Sequence, residues 1–298
     1  MIERLQDQFG IAKRLTFSRD SNQFVKATLA SEAGMVAEVL LHGGQLISWY
    51  DRSGGEDLLF VSSKANFQRG KPVRGGVPII FPQFGKGHLP SHGFARNAMW
   101  DIKSSAQTPS GDISLTLGLQ DSKATLDLWP HPFLLELTVT LGTSLTMALR
   151  IHNCGTTPFY FYAGFHSYFR IADINRIQIL GLKDVTFLDQ RGAEKSYRVQ
   201  QPEALIVDEE VDYVYLNAPD TVTLIDQLYR RKIEVRKDNI KDMVVWNPWI
   251  EKSNNFSDLA PQEYASFVCI EPAIVNQKIT LEPRASYVCT QELRTSAL

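Results

Sequence analysis

Leu145-Thr146-Met147-Ala148-Leu149-Arg150-Ile151-His152 alternates a large apolar residue with a smaller or polar one. In an extended chain, successive side chains point to opposite sides. Leu145, Met147, Leu149 and Ile151 therefore share one face, and Thr146, Ala148, Arg150 and His152 share the other. A period of two marks a strand with one buried face. The same rhythm runs through Ile113, Leu115, Leu117 and Leu119, and through Thr221 to Ile225, Ile233 to Val235 and Tyr287 to Leu293. Turn-forming clusters separate these runs: Gly142-Thr143-Ser144, Asn153-Cys154-Gly155, Asn217-Ala218-Pro219-Asp220 and Lys237-Asp238-Asn239.

Helical patterns are weak. Residues 121–128 suit a turn or two before Trp129-Pro130. Ser257 to Tyr264 suits a short helix capped by Ser257. Without long helical stripes, a parallel sheet with crossover helices is not expected. No repeat of propeller or solenoid length appears. The reading is an all-β protein: one large, mostly antiparallel β-sandwich domain over residues 1–298, with no linker dividing it. Pro272 is expected to end the strand that contains Phe267, Cys269 and Glu271.

The composition suits such a fold. Hydrophobic residues are 44% of the 298 and charged ones 21%, and the net charge is −2. That balance carries no footprint for nucleic acid or an anionic membrane, so neither is an expected partner. A bound anion would be held by a local cluster. The opening residues MIERLQDQFGIAKRL carry charges throughout and no apolar run, so no secretory leader is read. No stretch is long and apolar enough to span a membrane. Cys154, Cys269 and Cys289 are few and far apart. Reduced thiols in a cytoplasmic protein are the expectation.

Four segments break the strand rhythm. The first is Lys71-Pro72-Val73-Arg74-Gly75-Gly76-Val77-Pro78, where paired glycines would let backbone approach a ligand and Arg74 offers a planar fork to an oxyanion. It also reads as a plain turn with a solvated arginine. The second, Ser91-His92-Gly93-Phe94-Ala95-Arg96, brings a second arginine beside a glycine. His88 and His92 have metal-ligand spacing for a helix, but Pro90 between them opposes that helix, so no metal is expected. His92 equally reads as a histidine that fixes a loop. The third is Gly164-Phe165-His166-Ser167-Tyr168-Phe169. A partly buried imidazole there would titrate near neutrality, or sit satisfied in the core. The fourth is Phe267-Val268-Cys269-Ile270-Glu271-Pro272. A carboxylate sharing a face with Phe267 and Cys269 is costly unless paired or used, and desolvation would raise its pKa toward that of a general base. Upstream, Trp246 and Trp249 flank Asn247-Pro248, as a sugar-stacking floor or as core.

Taken in order, RGGVPIIFPQFG, HGFAR followed by Trp100, HSYF, VVWNPW and CIEPA resemble the glucose-6-phosphate 1-epimerase family, the hexose-6-phosphate mutarotases. That family lies within the wider aldose 1-epimerase group, with its galactose-mutarotase-like supersandwich. The likeness spans residues 30–290. It implies His166 and Glu271 as the catalytic pair and Arg74 and Arg96 as substrate-binding arginines. Ser91 and His92, at the start of the second motif, are implied as further substrate contacts; glutamine is common at the Ser91 position. An aspartate for the sugar hydroxyls falls on Asp212 of Asp212-Tyr213-Val214-Tyr215, with Asp208 close enough in sequence to compete.

The implied reaction opens and recloses a pyranose. A base removes the C1 hydroxyl proton, an acid protonates the ring oxygen, and the aldehyde turns about C1–C2 before closing on its other face. Glu271 is expected as carboxylate base and His166 as imidazolium acid, roughly 5–8 Å apart so as to bracket one ring. The pair needs no cofactor or metal. The implied partner is a small sugar phosphate, acted on by a cytoplasmic monomer. Two other readings stay open: an aldose 1-epimerase of unphosphorylated sugars, and a non-catalytic carbohydrate-binding protein.

Overall fold

The computed structural model describes every residue of the chain except Ala193. Two large sheets pack face to face, and a four-stranded sheet (Leu15–Arg19, Val25–Ala30, Met35–Leu40, Leu46–Asp51) adjoins them. The pairs between strands are antiparallel.

The nine-stranded sheet is the part the opening run describes. Leu145–Asn153 lies between Phe133–Leu141 and Ser286–Ala297. Leu145, Met147, Leu149 and Ile151 are fully buried, as are Leu135, Leu137 and Val139 across the register. The intervening residues face outward, as period two requires. Each large aliphatic side chain taken out of water contributes about 1.5–3 kcal/mol, so this one face supplies much of the folding drive.

The eight-stranded sheet is built differently. Asp242–Asn247 and Phe267–Leu281 are its central strands, and most of their side chains are buried on both faces. Val245, Val268 and Ile270 point into the main core against the nine-stranded sheet. Phe267 and Cys269 point the other way, into a separate cluster with Phe60, Tyr168 and Leu259. Alternation places Glu271 on that second face as well.

Pro272 does not end its strand. Phe267–Leu281 continues through it, with Pro272 paired opposite Met243. Proline is tolerated where the ladder beside it is broken. On that side Phe159–Phe165 pairs down to Gly164 opposite Ala273, and Tyr168–Arg170 resumes opposite Cys269. Ile270 donates to Ser167 O across the gap, and alternation turns the Pro272 nitrogen toward the same gap.

Helix is sparse. Lys123–Leu128 forms as expected: Ser122 Oγ accepts from the Thr125 amide, and Thr125 Oγ1 accepts from the Ser122 amide. The expected helix over Ser257 to Tyr264 does not form. Ser257 is exposed and caps nothing, a helix stands earlier at Trp249–Ser253, and a 3-10 turn follows at Glu263–Ser266. The Glu263 carboxylate explains this: it accepts from the amides of Ala260 and Ser63 and from Ser62 Oγ, which fixes the segment as turns. A helix at Ile2–Phe9 was not anticipated. Among the described residues no helix is long and apolar enough to cross a membrane.

Candidate active site

Arg74 is aimed by its two glycines. Gly75 and Gly76 have φ of +121° and +60°. A Cβ at Gly75 would strike the Phe60 carbonyl, and one at Gly76 the Leu46 carbonyl. The glycines thus admit neighbouring backbone, and not a ligand as the sequence suggested. Gln45 Nε2 ties the turn by donating to Val73 O (3.0 Å) and Gly75 O (2.6 Å). The Arg74 side chain then lines a cleft of about 1500 Å³, together with Ser91, His92, Arg96, His166, Asp212, Trp246 and Glu271. The implied catalytic pair and substrate contacts, Arg74, Ser91, His92, Arg96, His166, Asp212 and Glu271, meet in this one cleft, whereas Asp208 and Trp249 do not line it.

His166 sits at the break between Phe159–Phe165 and Tyr168–Arg170, where the missing ladder turns its side chain into the cleft. Its amide donates to Pro78 O (3.1 Å), and Ser167 Oγ donates to Gln291 Oε1 (2.8 Å), pinning the break. The imidazole lies flat on the Tyr168 ring, 4.7 Å between centroids and 8° from parallel. Trp246 meets it edge-on at 5.9 Å, and the His92 ring stands 5.3 Å away.

His166 Nδ1 lies 3.2 Å from Glu271 Oε1. The two are therefore adjacent, closer than the expected separation across a ring. Their alignment makes no hydrogen bond: among the described residues, His166 Nδ1 and Glu271 Oε2 are both buried without a partner. His166 is 6% exposed and Glu271 1%, so both protonation equilibria are set by the protein. Burial, then the Asp212 charge, push the Glu271 carboxyl well above the ordinary carboxylate range. Burial, then the charges of His92, Arg96 and Arg74, push the His166 imidazole well below its ordinary range. Cys269 Sγ lies within 4.8 Å of both. Burial and Glu271 push that thiol well up, so it is an inert neighbour and not a nucleophile.

Around this pair the cations are arranged unequally. Arg74 Nη2 donates to Asp258 Oδ1 (2.9 Å), Nη1 lies 3.3 Å from the Tyr168 hydroxyl, and the guanidinium stands over the Phe256 ring at 4.5 Å. Arg96 donates only to the Ser91 carbonyl (2.8 Å) and touches no carboxylate among the described residues. Among the described residues neither arginine finds an acceptor for its buried Nε. His92 accepts from the Gly85 amide at Nδ1 (3.4 Å), which leaves its proton on Nε2. Burial, then Arg96 and Arg74, hold His92 neutral by lowering its pKa to about 3.

Asp212 lies beside Lys252 Nζ (3.5 Å) and Gln190 Nε2 (3.4 Å) in the cleft, and burial raises its pKa. Asp208 is exposed and outside the lining. Of the two tryptophans, Trp246 lines the cleft, whereas Trp249 packs edge-on against Tyr264. Sequence reasoning gave no role to Tyr168, Phe256 or Asp258. Tyr168 was signalled by its place in the HSYF string. Asp258 had no local signal, because its partner Arg74 is 184 residues away in the chain.

The family model described as Aldose 1-epimerase matches residues 25–294. The chain belongs to the aldose 1-epimerase family. It is an isomerase of carbohydrate metabolism that interconverts sugar anomers. Similar proteins include one of Cenchrus ciliaris whose name proposes a glucose-6-phosphate 1-epimerase, 39% identical over 267 residues, 87% of this chain and 80% of the relative. A protein of Escherichia coli strain K12, named in the same way, is 34% identical over 84% of each chain. A crystal structure from Salmonella typhimurium, described as a candidate mutarotase, superposes with a TM-score of 0.87 at 28% identity, covering both chains fully. A galactose mutarotase related enzyme of Lactobacillus acidophilus shares the fold: TM-score 0.74, 15% identity, 91% of this chain and 97% of that one.

Proposed function

We propose that the chain interconverts the α and β anomers of a hexose 6-phosphate, glucose 6-phosphate being the first to test. It would do so as a single-domain monomer in the cytoplasm, where its three free cysteines stay reduced. The observation that carries the phosphate reading is the meeting of Arg74 and Arg96 in the cleft of the proton-transfer pair, each with an Nε lacking an acceptor among the described residues. The names of the relatives point the same way. A phosphate offers several acceptor oxygens to two planar forks.

The chemistry follows from one shared proton. With Glu271 raised and His166 lowered, burial biases the pair toward a protonated carboxyl beside a neutral imidazole. This exchanges the roles expected from the sequence, in which Glu271 was the base. Moving the proton from Glu271 to His166 leaves the total charge unchanged, so the pair titrates as a unit. Ring opening takes a proton from the C1 hydroxyl and gives one to the ring oxygen. In this state His166 accepts the first and Glu271 supplies the second. Closure on the other face of the aldehyde runs the transfers in reverse and restores the pair. His92 Nε2–H and Asp212 would orient sugar oxygens, and Trp246 would offer an apolar face to ring C–H groups.

The test is anomer exchange on glucose 6-phosphate, followed by NMR saturation transfer with and without the protein. Acceleration with glucose 6-phosphate over free glucose supports the proposal. Equal acceleration of the two would remove the phosphate from it.

A further inference from the structure

Asp258 puts a negative charge inside the candidate anion site. Its Oδ1 lies 2.9 Å from Arg74 Nη2, and the side chains are 21% and 19% exposed. Asp258 and Phe256 follow the Trp249–Ser253 helix, and both line the cleft. Phe256 lies under the guanidinium while Asp258 takes one end of its fork. The Asp258 charge also reaches the second arginine, supporting the protonated form of both Arg74 and Arg96.

The segment is tied down next to this carboxylate. Leu259 is 2% exposed and packs with Phe60, Tyr168, Phe267 and Cys269. Glu263 Oε2 accepts from the Ala260 amide at 2.9 Å while the same carboxylate holds Ser62 and Ser63. Ser253 Oγ donates to Ile250 O at 2.8 Å. A phosphate reaching Arg74 therefore meets a carboxylate that does not swing freely away. Removing all counter-charge would leave two cations beside His92 and His166 in a poorly hydrated cleft, which is unfavourable. Keeping it makes an incoming anion compete for Arg74.

We infer that Asp258 is a specificity-determining residue, a built-in counter-ion that occupies Arg74 in the empty site and holds down the affinity for phosphate monoesters and inorganic phosphate. The inference rests on the phosphate reading. Its value to catalysis is turnover: binding the phosphorylated ground state less tightly keeps the enzyme from being trapped by substrate or product. Tyr168 links the two halves of the site, its hydroxyl near Arg74 and its ring under His166.

Asp258→Asn separates charge from position, because the amide oxygen still accepts from Arg74. For a partly exposed pair the released charge is worth about a three- to tenfold gain in anion affinity. The measurements are KM for glucose 6-phosphate and the inhibition constant of inorganic phosphate, in wild type, Asp258→Asn and Asp258→Ala, with thermal melting as the check on folding. Asp258→Asn is expected to lower both constants about three- to tenfold. Asp258→Ala, which also releases the guanidinium from its place, is expected to gain less. Unchanged or raised constants in a folded Asp258→Asn protein would show that Asp258 only props Arg74 and would overturn the inference. Arg74→Ala tells this failure from that of the phosphate reading. If it weakens glucose 6-phosphate selectively while Asp258→Asn brings no gain, only the role of Asp258 falls. If it lowers both sugars equally, the phosphate reading falls first.

Discussion

Val268, Ile270 and Ile274 on one face of the strand Phe267–Leu281 pack into the main core, while on the other face Phe267 and Cys269 pack in a separate cluster and Glu271 lines the cleft. Burial does not distinguish the faces: Ile270 is 0% exposed and Glu271 1%. Pairing does. The core face presents apolar groups that need no partner. The cleft face keeps a carboxylate oxygen and, across from it, an imidazole nitrogen without hydrogen-bond partners among the described residues. An unmet buried polar atom costs about 1–3 kcal/mol. That cost is tolerated on one face of a strand whose other face is packed with hydrocarbon. The core supplies the stability, and the cleft holds the unmet polar groups a substrate can satisfy.

The largest expected effect breaks the cleft face and spares the core. Glu271→Gln keeps the shape and removes the ionisable proton. Anomer exchange should fall by about 10²–10⁴-fold, with Tm equal to or above that of wild type. Near-normal exchange in this variant would remove Glu271 from the chemistry. The converse substitution is Leu149→Ala, fully buried in the same core. Denaturant unfolding should show a loss of about 2–5 kcal/mol, with exchange per folded molecule close to wild type. If activity and stability fall together in both variants, the separation between the faces is wrong.

A smaller effect sharpens the contrast within the cleft itself. Arg74→Ala should lower kcat/KM for glucose 6-phosphate about ten- to a hundredfold, the worth of a charge-assisted bond of ~1.5–3 kcal/mol, and change slow turnover of free glucose much less. Arg74→Lys should restore part of the loss, since it keeps the charge without the fork. The nearness of both arginines to His166, whose imidazole their charges lower, means that some of the loss should also appear in kcat.

The sandwich was legible because it repeats. The long central strands of the nine-stranded sheet carry their own record of inside and outside in a period of two, and Leu145 to Ile151 needed no knowledge of its neighbours. The central strands beside the cleft are buried on both faces, and periodicity is silent there. The four motif segments marked the cleft because glycine, proline and charge interrupt that rhythm. What stayed hidden depends on pairing across the chain. Pro272 looked like a strand end because its ladder gap is made by a break near His166. Ser257 looked like a helix cap because Glu263, bonded to Ser62 and Ser63, claims the turn instead. The upward shift of Glu271 was foreseen and the downward shift of His166 was not. Single residues suggest a carboxylate base and an imidazolium acid, whereas burial favours the neutral form of each, with Arg96 and Arg74 adding to this at His166 and Arg96 opposing it at Glu271.

The claim that His166 and Glu271 share one proton is tested most directly by the pH dependence of kcat/KM for glucose 6-phosphate, with the uncatalysed rate subtracted. The folded imidazole is lowered from 6.5, so adding a second proton sets the acid limb below that value. The folded carboxyl is raised well above 4.5, so losing the last proton sets the alkaline limb above that value. The account predicts a bell whose alkaline limb disappears from the residual activity of Glu271→Gln, since that variant has no carboxyl to ionise. A wild-type rate that climbs without an alkaline limb, or a Glu271→Gln profile that keeps the same limb, would contradict it.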